Sequence, residues 1–291
     1  MHEIERLFVF GDSIQDNGNL FKQLNFPLPP FYKGNFCNGK LASEYLKDTI
    51  ENNFKQYDIL IQNYAIGGAL SSGNNPKSLF TESSLSVRDQ IDRGLNQVKR
   101  FNDSDTILLN GGANNFIFVI HDEAPYINLP AIYRVASDLY SCADKLLSSG
   151  AGCIMIFNIP DITCAPFFNV LPFPNMFLKG YKKFIKYNIN LQNEKIEKNI
   201  SLLKNKYDKA IIKKVDLFDL QKSILKNPGQ YGISNLSEPC VDSFGGVDAD
   251  CNIQENLEIL HNPEESLFFD YVHPTSIAQK ELSNIIYKLL Q

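Results

Sequence analysis

Ser13 closes the stretch Phe10-Gly11-Asp12-Ser13, directly after the apolar run Leu7-Phe8-Val9-Phe10. At the far end of the chain, Asp270 stands three places before His273 in Asp-Tyr-Val-His-Pro. A serine hydroxyl becomes a nucleophile when an imidazole takes its proton and a carboxylate orients that imidazole. The Asp-x-x-His segment offers both partners from one short piece of chain. Of the four histidines, His2 is near the start, and His121 follows an apolar run without an accompanying motif. His261 lies in the polar stretch His261-Asn262-Pro263-Glu264. Only His273 has a carboxylate at minus three and a proline at plus one, so it is the candidate base, with Asp270 as its orienter.

Acyl transfer also needs donors aimed at the oxyanion that develops on the carbonyl oxygen, each worth about 3–4 kcal/mol of transition-state stabilisation. Two glycine-bearing stretches qualify. Asn63-Tyr64-Ala65-Ile66-Gly67-Gly68-Ala69 offers a backbone N–H, and Asn110-Gly111-Gly112-Ala113-Asn114-Asn115-Phe116 offers a side-chain amide. Glycine and asparagine are ordinary loop residues, and either stretch alone says little. Both follow predicted strands, which puts them at the edge that holds Ser13.

The elements that must position these groups alternate along the chain. Short apolar runs at 7–10, 59–63, 106–110, 153–158 and 210–215 read as strands. Amphipathic stretches at 41–51, 87–101, 131–149, 181–206 and 275–290 read as helices. That alternation predicts an α/β fold, one domain over 1–291, with a mainly parallel five-stranded sheet between two helical layers. In such sheets chemistry sits at the carboxyl edge. Gly11 permits a tight turn, after which Ser13 is expected at the start of a helix. Two segments dense in Phe and Pro, 26–36 and 165–177, cannot be regular helix interiors, because proline lacks the N–H. The stretch from 226 to about 266 is expected to be a long loop region.

Composition bounds the remaining possibilities. Hydrophobic content of 44% and charged content of 21% are globular values. A formal net charge of −5 argues against a nucleic-acid or anionic-membrane partner, either of which would favour a basic face. No run approaches the ~18 apolar residues of a membrane span. The segment Met1-His2-Glu3-Ile4-Glu5-Arg6 does not read as a signal peptide, which leaves either a cytoplasmic protein or a mature form without its leader. The six cysteines, Cys37, Cys142, Cys153, Cys164, Cys240 and Cys251, form no C-x-x-C pair, which argues against zinc. Cys240 and Cys251 bracket a polar, glycine-bearing loop of the kind a disulfide closes. That bridge is the expectation, and with it an oxidising compartment.

The G-x-S-x-G elbow of the α/β-hydrolases is absent around Ser13. Instead the chain resembles the SGNH (GDSL-type) hydrolase family. Four blocks carry the likeness, in family order: Phe-Gly-Asp-Ser-Ile-Gln-Asp-Asn-Gly-Asn at 10–19, Asn-Tyr-Ala-Ile-Gly-Gly-Ala at 63–69, Gly-Ala-Asn-Asn-Phe at 112–116 and Asp-Tyr-Val-His-Pro at 270–274. The resemblance implies a flavodoxin-like sheet and a Ser13, His273, Asp270 triad. It also implies an oxyanion hole made by Ser13, Gly68 and Asn114, with Gly67 alignable in place of Gly68. No metal or organic cofactor is implied. The family usually has Asp where this chain has Asn115, which removes a charge near the site. The segment 34–40 is similar to one near the substrate cleft in longer members.

Within that family, the length, the extended first block and the cysteine-bracketed loop resemble a secreted bacterial lipolytic branch of lysophospholipases A and glycerophospholipid–cholesterol acyltransferases. The implied substrate is a lysophospholipid or phospholipid, with transient contact at a membrane surface and a secreted or periplasmic location. The 240–251 loop is then a candidate lid. The rival readings are a carbohydrate or small-ester (acetyl) esterase, a thioesterase or other acyl transferase, and a non-catalytic binding protein on a hydrolase fold. Sugar binding favours exposed Trp and Tyr platforms, and this chain has 13 Tyr and no Trp.

Overall fold

The computed structural model describes residues 4–54, 58–73, 86–117, 129–171, 174–248 and 252–291. Five strands form one sheet: β1 (Arg6–Phe10), β2 (Leu60–Asn63), β3 (Asp105–Leu109), β4 (Cys153–Phe157) and β5 (Ile211–Val215). All pairings are parallel, in the order β2-β1-β3-β4-β5. Each predicted strand is present to within one residue at either end.

Side-chain alternation assigns the two faces. Phe8, Phe10, Ile107, Leu109, Ile154 and Ile156 point into one core, with Val87, Ile91, Leu139, Leu146, Ile189 and Ile196. Those partners come from α3 (Val87–Val98), α6 (Val135–Ser148) and α8 (Asn175–Lys206). The intervening strand residues Leu7, Val9, Leu108, Met155 and Phe157 point the other way, against Leu46, Leu220, Ile224, Leu282 and Ile286. These belong to α2 (Ala42–Asn53), α9 (Leu217–Lys226) and α10 (Ser276–Leu290). The result is the expected three-layer arrangement.

Several helices depart from the prediction. Two short ones, α4 (Ala113–Ile117) and α5 (Leu129–Tyr133), follow β3, and α5 with α6 replaces the single helix expected over 131–149. In the second Phe/Pro-rich segment, α7 (Phe167–Val170) forms, and Pro174 caps a helix α8 that starts six residues before 181. Helix α9 follows β5, its N-terminus capped by Asp216, which accepts from Asp219 N. No helix begins at Ser13. The chain makes a turn there, closed by Gln15 N donating to Asp12 O at 3.0 Å, and α1 (Asn19–Leu24) starts only after Gly18 at φ 91°. Asp16 takes the Asn19 N–H at 2.6 Å and so fixes that later start.

Gly11 marks the closest approach in the fold. A Cβ there would meet Asn110 Oδ1 at 1.6 Å and Cγ at 2.5 Å. Gln90 clamps the same residue, accepting from Gly11 N and donating to Gly11 O, both at 2.8 Å. Gly11→Ala is expected to lower stability by about 1–3 kcal/mol or more, the usual range for overpacking. Denaturant melts that leave the variant at wild-type stability contradict this packing.

Candidate active site

The three groups expected to act together converge. Ser13 Oγ lies 2.8 Å from His273 Nε2, and His273 Nδ1 lies 2.7 Å from Asp270 Oδ2. Asp270 has no solvent exposure. Its Oδ1 accepts from the N–H of Val272 at 2.7 Å and of His273 at 2.6 Å, and its Oδ2 accepts from Gly245 N at 2.8 Å. The turn Asp270–His273 thus hydrogen-bonds its own carboxylate, which aims the second oxygen at the imidazole. Gly245 was not singled out in the sequence. Its φ of 69° and a would-be Cβ only 3.2 Å from His273 Cε1 favour glycine there. The Phe36 ring lies 5.0 Å from the His273 ring, so the 34–40 segment covers the imidazole. Of the other histidines, His261 pairs with Glu238 at 3.1 Å away from the site. His2 and His121 lie outside the described residues.

The oxyanion candidates arrive from β2 and β3. Asn114, at the start of α4, faces the same cavity as Ser13 and His273. One of its two amide hydrogens goes to Ala69 O at 3.0 Å, which orients the group and leaves the second for a ligand. Gly67 N donates to Asp16 Oδ2 at 2.8 Å. That bond removes Gly67 as a donor to an oxyanion and leaves Gly68, at φ 78°, as the glycine candidate. Asp12, beside the serine, accepts from Asn110 Nδ2 at 2.8 Å and from Ile14 N at 3.2 Å, tying the serine turn to the β3 loop. Burial pushes the Asp12 carboxyl above its ordinary range.

Asn115, the departure from the family pattern, has a definite use. Its Oδ1 accepts from Ser71 N at 3.0 Å, and its Nδ2 donates to Ser71 Oγ at 3.1 Å and Ala131 O at 2.8 Å. A carboxylate could not make the two donations. The negative charge at this corner comes instead from Asp138, which accepts from Ser71 Oγ at 2.7 Å and Ser72 Oγ at 2.6 Å. Arg88 and Arg134 pair with Asp138.

The cysteine expectation is corrected. Cys240 is a free, buried thiol whose Sγ lies 3.3 Å from Phe268 O, packed with Phe31, Val241 and Phe269. An apolar pocket, not a bridge, holds it. Cys251 lies outside the described residues. With the bridge goes the redox argument for an oxidising compartment. The loop's described part serves the site through Gly245.

A cavity of about 110 Å³ opens from Ser13, His273 and Asn114. It runs past Phe167 and Phe168 of α7 to Leu220 and Ile224 of α9 and Leu282 of α10, and its lining is overwhelmingly apolar. The second Phe/Pro-rich segment therefore walls the cavity, whereas the first packs over the triad through Phe36.

The model of GDSL-like lipases and acylhydrolases matches residues 7–286. The chain belongs to this family. It is 23% identical to GDSL esterase/lipase 6 of Arabidopsis thaliana, over 98% of this chain and 86% of the relative. To the thermolabile hemolysin of Vibrio parahaemolyticus it is 25% identical, over 96% of this chain and 62% of the relative. The phosphatidylcholine-sterol acyltransferase of Aeromonas hydrophila is 23% identical, over 96% and 88%. Among solved structures, an acetylxylan esterase from Geobacillus stearothermophilus has the same fold at TM-score 0.53 and 13% identity, covering 100% of this chain and 95% of that one. Membership in a family of ester hydrolases agrees with the described geometry, in which serine, imidazole and carboxylate form one hydrogen-bonded line. Among the described residues, no helix is long and apolar enough to cross a membrane.

Asp16 organises the donor loop, accepting from Asn19, Leu20 and Gly67 N–H groups. Burial raises its carboxyl from 3.8 to about 6, against the opposing pull of those bonds. A carboxyl that holds its proton more tightly when folded makes stability fall as pH rises between those two values and level off above about 6. Asp16→Asn removes this titration. Relative to wild type, the variant should gain about 2 kcal/mol of stability on going from about pH 4 to about pH 6. Urea melts at both pH values measure the change, and a constant difference contradicts the burial argument.

Proposed function

We infer that the protein is a serine esterase acting on lipid esters, releasing a fatty acid from a lysophospholipid or phospholipid. The observation that carries this reading is the apolar cavity leading from Ser13 to α9 and α10. A fatty acyl chain is an unbranched apolar group, and burying it there contributes about 0.8 kcal/mol per methylene. An acetyl group needs no such cavity, and a sugar would meet a mostly apolar wall there.

In this mechanism His273 Nε2 takes the Ser13 proton while Oγ attacks the ester carbonyl. Asp270 holds Nδ1 protonated and stabilises the imidazolium. The Ser13 and Gly68 N–H groups and the Asn114 amide receive the oxyanion. His273 then returns the proton to the leaving alcohol, the lysolipid's glycerol oxygen. A water molecule, or the hydroxyl of an acceptor alcohol, enters with His273 again as base, and the acyl group leaves Ser13. The second acceptor would make the enzyme an acyltransferase, as one relative is named. A secreted or periplasmic location rests on the family resemblance alone.

Fatty-acid release from lysophosphatidylcholine by wild type, Ser13→Ala and His273→Ala tests the reading, with phosphatidylcholine and p-nitrophenyl acetate alongside. The expected result is preference for the lysolipid and a loss of at least about a thousandfold in each variant with the fold intact. Serine-dependent cleavage of the acetate alone supports a small-ester or carbohydrate esterase instead. Near-wild-type turnover by Ser13→Ala removes the mechanism.

A further inference from the structure

Helix α8 is longer than its packing requires. Its buried positions, Ile185, Asn188, Ile189, Gln192, Ile196, Ile200 and Leu203, begin at the eleventh residue. Tyr181 and Phe184 are half-buried against the core, whereas residues 175–180 contribute no side chain to it, so about 9 Å of helix extends past the core at 1.5 Å per residue. The overhang is not polar. Met176 is 81% exposed and Phe177 67%, and these two, with Gly180, Tyr181 and Phe184, line an open apolar depression. Val170, at the end of α7, is also exposed.

Two stripes run along this stretch at helical spacing. Phe177, Tyr181 and Phe184 recur at four and three residues, and Met176, Lys179, Lys183 and Lys186 at three, four and three. From Asn175 to Asn193 there are four lysines and no acidic residue, in a chain whose net charge is −5. Lys186 pairs with Asp161, and Lys182 donates to Asn169 and sits over the Phe168 ring. Lys179 and Lys183 are exposed, with no acidic partner among the described residues. Aromatic residues beside lysines suit the boundary between acyl chains and anionic headgroups, where the ring enters and the ammonium stays at the phosphate level.

The overhang also adjoins the cavity. Phe168 lines the cavity, Tyr181 lines the depression, and their rings are 6.4 Å apart. The two apolar spaces therefore flank one aromatic pair. We propose that the overhanging start of α8, with the exposed end of α7, docks the enzyme on an anionic phospholipid surface and presents the cavity to the lipid plane. The proposal rests on the lipid-ester reading for its purpose but is tested by binding, apart from chemistry.

The test uses the full chain carrying Ser13→Ala, so that vesicles stay intact, and sedimentation with vesicles of phosphatidylcholine alone or mixed with phosphatidylglycerol. The Ser13→Ala protein should sediment with the mixed vesicles and release as salt rises. Adding Met176→Ser with Phe177→Ser should weaken this roughly tenfold or more. Adding Lys179→Glu with Lys183→Glu should weaken it by at least roughly fivefold per lysine. With Ser13 restored, both double variants should cleave soluble monomeric p-nitrophenyl butyrate at the wild-type rate, which verifies that they are folded. No sedimentation, sedimentation insensitive to either pair, or equal binding to phosphatidylcholine alone overturns the proposal. Variant-sensitive binding without release of fatty acid by the active enzyme keeps the docking surface and removes the lipid-ester reading.

Discussion

A carboxylate with no access to water governs the arrangement of this site. A buried carboxylate needs hydrogen-bond donors around it, and the chain supplies Asp270 with N–H groups from two directions. Val272 and His273 donate from its own turn, and Gly245 donates from the long loop. Every lone pair used by those donors fixes the carboxylate plane, and the plane fixes the imidazole, which in turn fixes the distance to Ser13. The site's rigidity therefore comes from satisfying one buried charge.

The same economy of contacts links the remaining loops. Asp12 joins the serine turn to the β3 loop through Asn110, and Asp16 joins it to the β2 loop through Gly67. Both carboxyls are raised by burial, so the donors around them offset a desolvation cost that is not fully removed. A parallel sheet brings the three loops to one edge because every strand runs the same way. Strand β1, flanked by β2 and β3, delivers Ser13 between the two donor loops. The apolar cavity lies on the other side of the serine, toward β4 and β5, where α9 and α10 meet α7.

Much of this is legible in the chain. Five short apolar runs announce the strands, and the short motifs at their carboxyl ends announce Ser13, Asn114 and the 67–68 glycines. The Asp-x-x-His turn is readable because its geometry is local. Other features depend on tertiary contacts. Helix α9 had a signal, with Asp216 as cap and Leu217, Leu220 and Ile224 at helical spacing, yet its shortness hid it between a strand and a loop. The choice between Gly67 and Gly68 turns on one long-range bond to Asp16. Asn115 could be read only as a missing charge until Ser71, Ala131 and Asp138 appeared around it. The Cys240–Cys251 expectation came from loop composition, whereas packing around Phe31 and Phe269 decides what Cys240 does. The cavity belongs to no segment at all, being the space left among side chains of several elements.

Reaction with an alkyl fluorophosphonate most directly tests the central claim, that Ser13 is the activated hydroxyl at the mouth of an acyl-binding cavity. Attack by Ser13 Oγ expels fluoride and leaves a stable phosphonyl ester. Peptide mass mapping should find the adduct on the peptide containing Ser13, formed faster with a long alkyl chain than with a methyl group. Modification at another residue, or no reaction under conditions where ester cleavage proceeds, would contradict the assignment. A labelling rate indifferent to chain length would contradict the role of the cavity.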